Sequence, residues 1–182
     1  MAATPEETER LQADLAAHER ALQDFIASAQ KIQSSAWNLP THAGKWSPAQ
    51  VAEHLRLSYT TVRAELSGHG GFRVRTTWWR QRVLRVLYLS RILKSGRFPK
   101  GVPATREVRP AGGPFDRQQL LLALRQEGEQ FVQEVRLASD RATISHPFLG
   151  KLALADGLRF LTQHIGHHQG QIVGAPKPSG LP

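Results

Sequence analysis

The chain has 182 residues, a formal net charge of +9 and no cysteine. That length suits one domain with a substantial core, and the missing cysteine excludes disulfides, thiolate metal ligands and a cysteine nucleophile. No run of about 18 apolar residues is present, which excludes a transmembrane helix. The acidic, amphipathic start MAATPEETERLQADL differs from a secretory signal, so the cytoplasm is the expected compartment.

In chain order, Thr4-Pro5-Glu6-Glu7 opens the first helix with a threonine cap, a proline at the first helical position and a glutamate placed for a capping box. Its stripe is Leu11, Leu15, Leu22, Phe25, Ile26 and Ala29, reaching to about Ser34. Ser47-Pro48-Ala49-Gln50 repeats the device and opens a second helix with Val51, Leu55, Val62 and Leu66 on one face, ended by Gly68-His69-Gly70-Gly71. A third helix is expected after Asp116, carrying Leu120, Leu121, Leu124, Phe131 and Val135. The fourth runs from about Leu152 through Leu154, Leu158, Leu161, Ile165 and Ile172, and no strand pattern stands out anywhere. These elements predict an all-α four-helix bundle spanning 1–174, with a disordered tail at 175–182.

Between the second and third helices lies a long helical and irregular insertion, about 72–112. Thr76 to Leu93 is expected to be helical, because Trp79, Val83, Val86, Leu87 and Leu93 keep helical spacing; a Pro/Gly-rich connection follows. The charge is concentrated here. Residues 70–110 carry eleven Lys or Arg against one acid, Glu107, whereas the rest has thirteen basic and fourteen acidic residues. Such a segment invites contact with nucleic acid or a membrane surface, but its arginines spread round the helical wheel and leave no clean polar stripe. A milder reading has them attract an anionic substrate.

Three of the eight histidines fall within FLTQHIGHHQGQI. On a helical wheel His168 lies about 40° from His164, and both border the buried stripe, while His167 turns about 60° the other way. His54 borders the stripe of the second helix in the same manner. Two imidazoles at i and i+4 can converge on one cation, and a third from a facing helix would complete a site with positions open for water or substrate. Gln50, Ser58, Thr61, Glu65 and Gln171 lie nearby on the two wheels, as groups that orient ligands or contact a substrate. Spacing alone fits the bland reading equally well: edge histidines satisfied by carbonyls and water. The zincin motif is not met, because Ile165 stands where its glutamate base belongs. His18, on the first helix's own stripe, reads as a core histidine, His146 as a turn or packing residue, and Trp46 as the anchor of a helix start.

Taken together, Trp46-Ser47-Pro48, Glu53-His54-Leu55, His146-Pro147-Phe148-Leu149-Gly150 and His164-Ile165-Gly166-His167-His168-Gln169-Gly170-Gln171-Ile172 resemble the DinB/YfiT-like family of metalloenzymes over about residues 5–173. The resemblance implies an up-down-down-up bundle, often a homodimer, with a divalent ion such as zinc or nickel on His54, His164 and His168. Gln50, Ser58, Gln171 and His167 are expected around that site from their places on the helices, and the resemblance implies that the metal activates water or a low-molecular-weight thiol for hydrolysis or S-transfer. The long basic insertion departs from the family pattern. The competing expectation is a non-catalytic binding protein whose insertion contacts nucleic acid or a membrane surface.

Overall fold

The structure is a computed structural model that describes residues 4–40, 42–99, 101–139 and 141–173; the expected disordered tail, 175–182, lies outside the described residues. Its long helices are α1 (Pro5–Gln30), α3 (Pro48–Leu66), α6 (Arg117–Leu137) and α7 (Leu154–Val173). A four-residue helix, α2 (Ser34–Trp37), links the first two. Both expected capping boxes form: Thr4 with Glu7, and Ser47 with Gln50, each behind a proline. Asp116 caps α6 by accepting the Gln119 N–H. Each such cap stabilises its helix start by about 1 kcal/mol.

Cross-helix contacts give the topology. Along α1 and α7, Asp14 meets Arg159, His18 meets Thr162 and Ser28 meets Gln169, so the two helices run parallel. Along α3 and α6, Tyr59 meets Phe131 and Arg63 meets Glu134, again in parallel. Between α1 and α6 the order reverses, from Glu19 with Arg136 to Ile32 with Arg117. The bundle is therefore up-down-down-up, and the stripes read from sequence form one core, with Leu15, Phe25, Leu55, Val62, Leu124, Phe131, Leu158 and Ile165 almost wholly enclosed. Gly128 lets α6 close on its neighbours, since a Cβ there would collide with Leu22 and touch Tyr59.

Two expectations need correction. Residues 143–153 form a β-hairpin, β1 (Thr143–His146) paired antiparallel with β2 (Gly150–Ala153), with Ile144 opposite Leu152. Four-residue strands offer too few alternations to stand out, and Leu152 lies within β2, with α7 starting at Leu154. The insertion is helical as expected, with α4 (Trp78–Leu84) and α5 (Ser90–Ser95) joined by a π-helical turn, Arg85–Leu89. Its stripe of Trp79, Val83, Val86 and Leu87, however, faces outward. The face that packs carries Ile92, with Leu84, Leu89 and Leu93, against Leu149, Leu152 and Phe160 in a second small core. Arg85 bonds the Leu149 and Lys151 carbonyls, and Thr76 donates to Phe148 O at 2.9 Å, so the inner side of the helix is fixed on the hairpin.

Candidate metal centre

His54 comes from the middle of α3, and His164 and His168 from successive turns of α7, on antiparallel neighbouring helices. The structure brings the three together. His164 Nε2 lies 2.9 Å from His168 Nε2 and 3.3 Å from His54 Nε2, and one ligand-capable nitrogen of each residue lies within 4.8 Å of the others. His54 and His168 are buried and His164 partly so.

The far side of two of these rings decides what the near side can do. His54 Nδ1–H donates to the Val108 carbonyl at 2.7 Å, and His168 Nδ1–H donates to Gln171 Oε1 at 2.9 Å. Both rings therefore present an Nε2 lone pair to the same small volume, occupied also by His164 Nε2. A single proton on His164 can satisfy one of these lone pairs and not the other. Nitrogens bound to one zinc at about 2.0–2.1 Å stand roughly 3–3.4 Å apart, close to the two spacings of 2.9 and 3.3 Å that His164 makes. The donor set and its tautomers thus fit a divalent ion.

Electrostatics favour the same state. Burial pushes the His168 pKa down to about 3, helped by the neighbouring charges of His54 and His167 and opposed by the Gln171 bond. Burial, then repulsion from His168, His54, His167 and His146, holds His164 well below the usual imidazole range. His54 is lowered by burial, in part offset by its bond to Val108. At neutral pH all three rings are neutral, as ligation requires.

The remaining expected site residues separate. Gln171 also donates through Nε2 to His167 Nε2 at 3.0 Å, so His167 joins the centre through Gln171 and stands outside the group of three. Ser58 Oγ donates to the His54 backbone carbonyl at 2.8 Å, supporting α3 one turn away. Gln50 Oε1 accepts the Ser47 N–H and is held in the capping box. Thr61 bonds the Leu57 carbonyl, and Glu65 accepts the backbone N–H and hydroxyl of Ser145, latching α3 to the hairpin. Glu53 forms two 2.7 Å bonds with Arg56. Among the described residues no carboxylate joins the three histidines.

The insertion supplies what the sequence reading missed. Its 3-10 turn, Arg106–Val108, lies on α3 and carries the carbonyl that orients His54. Phe98 stands 5.7 Å from the His164 ring and 4.9 Å from His167, and Phe160 stacks on His164 at 6.2 Å. Trp46 lies 4.9 Å from the His54 ring, so it walls the site as well as anchoring a helix start. His146 holds the hairpin turn: its Nδ1 accepts the N–H of Phe148 and of Leu149, each at 3.2 Å, and its ring packs 4.8 Å from Phe160. A backbone carbonyl in an irregular segment has no residue-type signal, although a lone phenylalanine in a Pro/Gly-rich stretch was a readable hint for Phe98.

The sequence profile of the DinB superfamily matches residues 17–172. Among solved structures, YfiT from Bacillus subtilis, described as a probable metal-dependent hydrolase with an unusual four-helix bundle topology, is similar at 16% identity and a TM-score of 0.56, covering 94% of this chain and 87% of that one. TT2238, a four-helix bundle protein, is similar at 22% identity and a TM-score of 0.50, covering 88% of this chain and 96% of that one. No curated protein matches the chain.

Proposed function

Because the chain belongs to the DinB superfamily, we propose that it is a metal-dependent enzyme whose divalent ion is held by His54, His164 and His168. The observation that carries this reading is the convergence of three imidazole nitrogens at 2.9 and 3.3 Å, two of them with their lone pairs fixed inward. Imidazole ligands suit zinc or nickel. Such an ion supplies Lewis acidity toward a water or low-molecular-weight thiol, which makes hydrolysis or S-transfer to a small electrophile the fitting reaction classes.

The chain's own residues then have definite tasks. Val108 and Gln171 keep the protons of His54 and His168 on Nδ1. Phe98 and Phe160 cover the His164 ring and Trp46 covers the His54 ring, which limits water around them and strengthens interactions inside the cluster. His167 accepts from Gln171 at Nε2, so its own proton sits on Nδ1, beside Phe98. Among the described residues no carboxylate joins the three histidines, so the metal-bound group itself would do most of the proton transfer.

A panel of activated esters and amides, and separately of electrophiles with a cellular thiol, distinguishes the two classes. Turnover by the zinc- or nickel-loaded protein that is lost in His54→Ala and His168→Ala supports the proposal. Stoichiometric metal without turnover on either panel favours a binding protein.

A further inference from the structure

The insertion helix is apolar on two sides, and only one of them is used. Its inner side is fixed by Ile92 and by the Arg85 and Thr76 bonds to the hairpin. Its outer side leaves Trp78 73%, Trp79 50%, Val83 49%, Val86 77% and Leu87 58% exposed. Five large apolar side chains within ten residues exceed the scattered exposure of an ordinary surface. On the first turns of the helix Trp79 and Val83 share one face, with Arg82 on one side of it and Arg80 on the other; Val86 and Leu87, in the π-helical turn, extend that exposed face. Arg80 lies over the Trp79 ring at 5.2 Å. Arg80, Arg82, Arg91 and Lys94 take part in no salt bridge among the described residues.

We propose that this outer face docks the protein on an anionic lipid surface, with the two tryptophans and three aliphatic side chains entering the interface and the bordering arginines meeting lipid phosphates. Tryptophan is favoured at the water–lipid boundary, and arginine can bury its stem while its head reaches charge. The missing clean polar stripe does not count against this, because the opposite side of the helix rests on protein instead of water. A second copy is a poor occupant: it would bring two segments together that each hold eleven basic residues and one acid between 70 and 110. Nucleic acid would use the arginines but leave Val83, Val86 and Leu87 without an apolar partner.

The test is sedimentation of the full chain with phosphatidylcholine vesicles, with and without about one third phosphatidylserine. Tryptophan emission is followed in parallel, and a short DNA duplex serves as competitor. Binding to the serine-containing vesicles with a blue shift is expected, absent from neutral vesicles. Trp78→Ser with Val86→Ser should abolish it, and Arg80→Gln or Arg82→Gln should weaken it about fivefold each. The exposed Leu137→Ser, on α6, should leave it unchanged. These positions touch neither core nor histidines, and an unchanged melting curve verifies the fold. Absence of vesicle binding, equal binding to neutral vesicles, salt-sensitive capture by DNA alone, or a dimer broken by the same substitutions would each overturn the proposal.

Discussion

His18 and His168 are both buried, at 0% and 6% exposure, on the parallel pair α1 and α7. They are wired in opposite ways. His18 Nδ1–H donates to Thr162 Oγ1 at 3.0 Å, and the Tyr59 hydroxyl donates to His18 Nε2 at 2.8 Å. Thr162 passes its own proton to the Leu158 carbonyl, so the chain is satisfied from end to end. His168 has one nitrogen satisfied by Gln171 and the other facing two more imidazoles. A buried histidine with two protein partners is part of the core; one with a single partner and an inward lone pair is prepared for something the protein does not supply.

The largest effect that would break this contrast is that of the ion. Zinc at a thousandfold over its dissociation constant should stabilise the wild-type chain by about 4 kcal/mol. The His18→Gln protein should gain the same, and His164→Ala nothing; equal metal shifts in all three, read by chemical denaturation, would erase the distinction. Next, in chelated protein His18→Ala should cost about 3 kcal/mol, for a cavity plus an unsatisfied Tyr59 hydroxyl. His168→Ala should cost no more than about 1 kcal/mol, because it also relieves crowded lone pairs. The reverse order would mean that the three-histidine group is simply core.

Acid should give a smaller difference. Burial lowers the His18 pKa to about 4 from 6.5, so the unfolded chain binds more protons between those values. The His18 contribution is thus complete above pH 6.5 and is lost as pH falls toward 4, reaching about 2 kcal/mol by pH 5. His18→Gln keeps a donor and an acceptor without titrating, and should flatten the acid limb by that amount. An unchanged limb would place the sensitivity elsewhere. Smallest is the support for His168: Gln171→Ala should weaken zinc affinity about tenfold with no change in metal-free stability, as competition against a chelator would show.

The four long helices were legible because their caps and stripes are local, and Thr4, Ser47 and Asp116 act where the spacing puts them. Wheel positions put His54, His164 and His168 at the borders of their stripes, the family resemblance joined them into one site, and the structure brings them together. Gln50 and Ser58 shared that border, yet the capping box and the His54 carbonyl compete for their side chains, and helical angle does not register such competition. The hairpin escaped notice through brevity. The helicity of the insertion was legible, but the side on which it packs was not, because its conspicuous apolar spacing marks its outer face, while the side that packs carries Ile92, Leu84 and Leu89. Its carbonyl at Val108 and its Phe98 ring reach the histidines only through tertiary folding.

Elemental analysis of the chain purified without a histidine tag tests the central claim most directly. The account predicts about one divalent ion per chain in the wild type and in His18→Gln, and its loss in His54→Ala, His164→Ala and His168→Ala, each shown to be folded. Metal content that is the same in all five proteins would contradict it.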